Sequence, residues 1–70
     1  MKRVSKDELR ELRGRVKEVR KLRSVSQEEF AAVAGVCGQT IGRLERGSLK
    51  RSYQFTVDAI NGAIARLQNG

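Results

Sequence analysis

Apolar residues recur along this chain at the three- and four-residue spacing that places them on one face of an α-helix. The first such stripe consists of Leu9, Leu12, Val16 and Val19. Ser5 precedes it and Glu8 follows Ser5 by three residues, which is the pattern of a capping box at a helix start. We therefore expect a helix over residues 6–23. Gly14 inside it allows two alternatives, an exposed glycine in a continuous helix or a break that would make a fifth helix.

A second stripe predicts a helix towards the other end of the chain. It consists of Val57, Ile60, Ile64 and Leu67. Ser52 and Thr56 are two possible starts, and the later one adds a hydrophobic staple between Phe55 and Ile60, so we expect residues 56–68. No segment alternates apolar and polar residues over the length of a strand. The pattern as a whole predicts an all-α fold, a compact bundle of four helices.

A shorter helix is predicted in the middle of the chain, over residues 27–34. Ser26 and Glu29 form a second capping box, in which each side chain bonds the other residue's free backbone N–H. Ala31 is small enough for another helix to pass close to it. Gly35 can adopt the left-handed conformation that ends a helix without a steric penalty.

The next helix follows after a tight turn and is predicted over residues 38–46. Cys37 takes its cap position, and Gly47 ends it. Ile41 and Leu44, three residues apart, face the core together with the middle helix. The remaining positions point outward or sideways, and they are Gly38, Gln39, Thr40, Gly42, Arg43 and Arg46. Two short helices that cross at a tight turn, with one face of the second exposed, are typical of a DNA-reading unit.

The sequence of these two helices resembles the helix-turn-helix of the phage repressor and Cro family. The segment SQEEFA matches the family pattern [ST]-Q-x-E-[LF]-A, and RLERG matches its common [RW]-x-E-x-G ending. The likeness extends upstream to Arg20 and more weakly downstream to about Leu67. It implies a lambda-repressor-like fold whose second motif helix enters the major groove of double-stranded DNA.

The resemblance implies base contacts at the start of the second motif helix. Glutamine can bond adenine N6 and N7 together and arginine can bond guanine O6 and N7, so we expect Gln39 and Arg43 to contact bases, with Gly38 and Thr40 beside them. The alternative is that Gln39 and Arg43 contact only phosphates. Gly38 and Gly42 stand where the family usually has DNA-contacting side chains. The lack of side chains at these two positions allows two alternatives. Either the helix backbone lies closer to the bases, or the protein reads few bases.

Contacts with the DNA backbone are expected on both sides of that helix. Gln27 can direct its side-chain amide and its backbone N–H at a phosphate from the positive end of its helix. By resemblance, the residues that grip the backbone are Ser26, Arg46, Lys50 and Arg51. Glu45 would repel phosphates unless it is paired, and the resemblance implies a salt bridge with Arg20. The alternative is two solvated charges.

The charge of the chain favours a polyanionic partner. Lys and Arg number 15 against 8 Asp and Glu, which gives a formal net charge of +7. Much of the positive charge precedes Ser24, where it forms the solvated face of the first helix or adds flanking DNA contacts. In the second case, Lys2 and Arg3 would form an arm that follows a groove of the DNA.

Composition also excludes several classes of function. One cysteine and no histidine leave no intramolecular disulfide, no Cys/His zinc site and no histidine base. The carboxylates occupy helical positions and no nucleophile has a base nearby, so we expect neither an enzyme nor a cofactor or small-molecule ligand. The longest apolar run is far shorter than the roughly 20 residues that span a bilayer, so we expect no membrane partner and a cytoplasmic location.

Residues 1–70 are therefore expected to form one DNA-binding domain. Such a short chain has a small core and reason to dimerise, and a candidate interface consists of Ile60, Ile64 and Leu67. The alternative is that this stripe closes the monomer core. We expect a sequence-specific regulator, a repressor of its own small operon of phage, plasmid or toxin–antitoxin type that binds an inverted repeat as a homodimer. The alternative function is a basic helical adaptor that binds a protein or an anionic surface without reading DNA.

Overall fold

Four helices joined by short turns make up the chain. The computed structural model describes residues 4–49 and 52–69, and its helices are α1 Lys6–Arg23, α2 Gln27–Ala34, α3 Gly38–Arg46 and α4 Gln54–Asn69. The described residues contain no β-strand, and none of their helices combines the length and the apolar character that crossing a membrane requires. The all-α prediction is confirmed, and α1, α2 and α3 have the bounds expected from the sequence.

α1 is continuous through Gly14, so the described part of the chain has no fifth helix. The Ser5 hydroxyl oxygen caps its start by accepting the backbone N–H of Glu8 at 3.2 Å. Gly14 itself is exposed. Leu12 and Val16, the residues of the apolar stripe that precede and follow it, are buried. Their burial holds this turn of the helix in place and outweighs the low helix propensity of glycine.

α4 begins at Gln54, two residues before the expected start at Thr56. The Tyr53 carbonyl accepts the Thr56 N–H at 3.0 Å, so the first turn already forms there. This earlier start directs the Phe55 ring to the surface, where it is 60% exposed and stacks on Tyr53 with the ring centroids 6.0 Å apart. The predicted staple between Phe55 and Ile60 was therefore wrong.

The core lies between all four helices. Its largest fully buried side chains are Val16, Val19, Phe30, Ile41, Leu44, Ile60 and Ile64. α1 packs against α3 and α4, and α2 packs against the same two helices. Full burial of an aliphatic or aromatic side chain contributes about 1.5–3 kcal/mol, so the apolar stripes account for this arrangement.

Two residues expected at a dimer interface belong to this core. Ile60 and Ile64 are 0% and 1% exposed within a single chain, because α1 and α2 cover that face of α4. Neither has surface left for a second copy, so their assignment to a dimer interface was wrong. Leu67 is half-buried and packs against the same core.

Candidate nucleic-acid interface

The capping box at the start of α2 is complete. The Ser26 hydroxyl oxygen accepts the Glu29 N–H at 3.0 Å, and the Glu29 carboxylate accepts the Ser26 N–H at 3.2 Å. At the other end of α2, Gly35 has a φ of +73°, and the Val36 N–H donates to the Ala31 carbonyl at 3.0 Å. These contacts set the direction of the turn that leads into α3.

α3 buries one face and exposes the other. Ile41 and Leu44 are 0% and 2% exposed, whereas Gln39 and Arg43 lie on the exposed face, four residues apart. Half-buried beside them are Gly38 and Thr40. The two side chains selected for base contacts are therefore accessible to a large ligand, and the contacts themselves stay a prediction.

An ion pair between Arg20 and Glu45 joins α1 to α3. Arg20 Nη1 donates to both carboxylate oxygens of Glu45 at 2.6 Å, and Arg20 Nε donates to the Val25 carbonyl at 2.9 Å. The two charged side chains are 23% and 9% exposed. The structure thus brings together the two residues that the resemblance implied would pair, in the single side-chain ion pair found over residues 4–49 and 52–69.

Gln27 contacts Glu45, which differs from the role expected for its side chain. Gln27 Nε2 donates to Glu45 Oε1 at 3.3 Å, so the amide is directed at a carboxylate on α3 and not outward at a phosphate. A carboxylate offers several acceptor sites, and one arginine leaves room for a second donor. Nε2 carries two hydrogens and this contact uses one of them, so the phosphate contacts expected of the Gln27 amide and of its backbone N–H stay predictions.

Gly42 is buried, although the helical spacing predicted that it would point outward or sideways from α3. A methyl group on its Cα would lie 3.3 Å from Arg46 Nη1 and 3.5 Å from Gln27 Oε1. These two side chains therefore cover the glycine. Sequence reasoning missed this arrangement, and its only signal was the four-residue spacing that puts Gly42 and Arg46 on one face of the helix.

A cleft of about 630 Å³ lies between α2 and α3 beside this contact. Its lining includes Gln27, Glu28, Gly38, Gln39, Gly42 and Arg46. Residues from both expected sets, the base contacts and the phosphate contacts, thus line one surface. We call this surface the α2–α3 cleft.

A second groove, of about 360 Å³, lies at the carboxyl end of α3. The cations that line it all belong to α1, and they are Lys6, Arg10 and Arg13. A Cβ on Gly47 would lie 2.6 Å from Arg13 Nη1, so the guanidinium occupies the space beside the glycine that ends α3. The negative end of a helix dipole favours a cation at this place.

The remaining expected phosphate contacts are only partly described. Ser26 and Arg46 are exposed, and their contacts with DNA stay predictions. Outside the described residues lie Lys2, Arg3, Lys50 and Arg51. Over residues 4–49 and 52–69, no cluster of three cysteine or acidic side chains is placed to hold a metal ion.

Comparison with known proteins gives one match. A family model described as helix-turn-helix matches residues 16–52, a segment that contains α2, α3 and the last eight residues of α1. Neither the curated proteins nor the solved structures contain a match to the chain. The matched segment includes the Arg20–Glu45 ion pair and the whole lining of the α2–α3 cleft.

Proposed function

This chain belongs to the helix-turn-helix family of phage-repressor and Cro type, a family of DNA-binding transcription regulators, and we propose that it represses a small operon by binding an inverted repeat as a homodimer. The family assignment favours DNA binding over the basic adaptor. The kind of operon, phage, plasmid or toxin–antitoxin, is proposed from the resemblance alone.

One observation carries the proposal: Gln39 and Arg43 are exposed on the face of α3 opposite to buried Ile41 and Leu44. In a helix-turn-helix the second helix lies in the major groove, with its amino-terminal residues against base edges. We assign Gln39 to an adenine and Arg43 to a guanine, because the donor and acceptor groups of these side chains match those bases.

The positive surface around α3 is assigned to the DNA backbone. Ser26 at the start of α2 and Arg46 at the end of α3 are both exposed. We assign further phosphate contacts to Lys50 and Arg51, and to the groove cations Lys6, Arg10 and Arg13. Cations that neutralise phosphates release bound counterions, so DNA affinity should fall steeply as salt is raised.

The homodimer is proposed from the small core and from the apolar surface that remains on and near α4. Tyr53 and Phe55 are 43% and 60% exposed, and Leu67 is half-buried. Two copies related by a two-fold axis would place their α3 helices about 34 Å apart, which is one turn of DNA. Such a dimer would bind an inverted repeat and repress by covering a promoter.

Selection from a random duplex library tests the sequence-specific function. Arg43→Ala should lose base preference at one or two positions of each half-site, by about 1–3 kcal/mol for a lost bidentate pair. Arg15→Ala is the matched control, because it removes the same charge from an exposed position on α1. A wild-type chain that selects no sequence would overturn the function, and an Arg43→Ala logo identical to the wild type would overturn the assignment of Arg43.

Sedimentation tests the homodimer separately. The chain is run at micromolar concentration, alone and with the selected duplex. A dimer in at least the second case is expected, because two half-sites bring two copies together. A monomer bound to the full selected duplex would contradict the proposal.

A further inference from the structure

Gly38 and Gly42 are helical glycines that lack the usual backbone reason for glycine. Among the described residues, the glycines with positive φ are Gly35 and Gly47, at the ends of α2 and α3. A residue with a side chain would therefore fit the backbone at positions 38 and 42, and it would have a higher helix propensity. The reason for glycine at these two positions must therefore lie in the space that the missing side chains leave open.

The two glycines leave space for different occupants. A methyl group on Gly38 would make one ordinary contact, with Glu28 Cγ at 3.9 Å. A methyl group on Gly42 would lie 3.3 Å from Arg46 Nη1 and 3.5 Å from Gln27 Oε1. The space over Gly42 is thus taken by the chain's own side chains, whereas the space over Gly38 belongs to the open α2–α3 cleft.

We infer that Gly42 is a positioning residue, which lets Arg46 fold back along α3 and hold its guanidinium beside Gln27 to bind a phosphate of the DNA backbone. The inference rests on the proposed function, because the ligand is the phosphodiester strand that passes the α2–α3 cleft. A planar guanidinium can bond two phosphate oxygens at once. The missing side chain of Gly42 leaves the space that this arrangement of Arg46 needs.

A chain of contacts orients Gln27 towards this arginine. Arg20 binds both oxygens of Glu45, and Glu45 Oε1 accepts Gln27 Nε2 at 3.3 Å. Because Nε2 is directed at Glu45, the other amide atom, Oε1, faces the space above Gly42 that it shares with Arg46. The ion pair that joins α1 to α3 therefore also fixes Gln27, the second side chain that borders the space above Gly42.

Substitution of Gly42 should separate DNA affinity from folding stability. In Gly42→Ala, Arg46 Nη1 must move by a few tenths of an ångström, whereas the longer side chain in Gly42→Leu displaces both Arg46 and Gln27. Alanine has a higher helix propensity than glycine and needs only this small shift, so the midpoint of urea unfolding should not fall in Gly42→Ala. The dissociation constant for DNA should nevertheless rise about threefold for Ala and about tenfold for Leu, the effect of losing one charge-assisted contact.

The loss should have the signature of a phosphate contact. It should be equal on the selected duplex and on random duplex, and the slope of log affinity against log salt should decrease by about one. The matched controls are Gly14→Ala and Gly14→Leu in α1, where a Cβ meets nothing within 4 Å. These controls should leave both the dissociation constant and the salt slope unchanged.

A double substitution tests whether Gly42 acts through Arg46. Gly42→Leu should add no further loss of affinity to Arg46→Ala. An equal loss in both backgrounds would overturn the positioning role, and so would Gly42 variants that bind as tightly as the wild type. A wild-type chain that binds no duplex would instead refute the proposed function, so the two failures are distinguishable.

Discussion

α2 and α3 have nearly the same length, but their sequences support helix formation to very different degrees. α2 has a complete capping box and two acidic residues in its first turn, Glu28 and Glu29. α3 has no side-chain cap at Cys37 and no acidic residue in its first turn. It also contains Gly38 and Gly42, each of which lowers helix stability by roughly 1 kcal/mol relative to alanine. Of these two helices, the one assigned to base recognition is therefore the less supported by its local sequence.

Tertiary contacts compensate for what α3 lacks. Ile41 and Leu44 are buried in the core, and Glu45 is held by Arg20 and Gln27. A helix this short is not stable alone in water, so its formation depends on the apolar face that it packs against the rest of the chain. An acidic residue at the cap of α3 would stabilise this helix. It would also place a negative charge on the surface that we propose contacts DNA. α2 is therefore stabilised mainly by the residues at its own ends, whereas α3 depends on its contacts with the other helices.

The largest expected effect comes from removing the core contact of α3. Ile41→Ala should lower the free energy of unfolding by about 2–5 kcal/mol, because Ile41 is fully buried and its loss leaves a cavity. Urea denaturation measures the change. Gln39→Ala, on the exposed face of the same helix, should stay within about 0.5 kcal/mol of the wild type. Equal losses in the two variants would show that α3 does not depend on its buried face.

A smaller effect is expected from the ion pair between α1 and α3. A double-mutant cycle with Arg20→Gln and Glu45→Gln should give a coupling energy of about 1–3 kcal/mol, less than for a fully buried pair because Arg20 is 23% exposed. The control is the same cycle on Glu11 and Arg15, two exposed residues of α1 at the i, i+4 spacing. That pair should couple by at most about 0.5 kcal/mol. A coupling for Arg20 and Glu45 no larger than the control would contradict a tertiary role.

The smallest effects are expected at the caps, with opposite signs in the two helices. Ser26→Ala should destabilise the chain by about 1 kcal/mol, because it removes the acceptor of the α2 capping box. Cys37→Ser should stabilise it by up to about 1 kcal/mol, because it supplies the missing acceptor at α3, whereas Cys37→Ala should gain nothing from a cap. Thermal unfolding of the three variants measures both effects. The comparison between α2 and α3 fails if Ser26→Ala is neutral or if the Ser and Ala variants of Cys37 are equally stable.

Residues near one another in the chain made most of the fold predictable. The starts of α1 and α2 follow from Ser5 and Ser26, and the ends of α2 and α3 follow from Gly35 and Gly47, all of which act within one helical turn. The start of α4 was misplaced by two residues because the Tyr53 carbonyl begins the helix without a side-chain cap, and side-chain caps are what a sequence pattern reveals.

The candidate site was predictable in its exposed part and not in its contacts across helices. The exposure of Gln39 and Arg43 follows from the helical spacing of Ile41 and Leu44. The arrangement of Gln27 could not be foreseen, because its partner Glu45 lies 18 residues away and is reached only when α2 and α3 cross.

The sequence by itself determined the number and order of the helices, most of their bounds and the exposure of Gln39 and Arg43, because caps and apolar periodicity act over a few residues. Only the tertiary structure decided that Ile60 and Ile64 belong to the core and that Gln27 and Arg46 both cover Gly42. These outcomes depend on which helix faces pack together, since a side chain's exposure and partners are set by atoms far away in the chain. The same packing holds α3, a helix without a side-chain cap, in the position from which it can contact DNA.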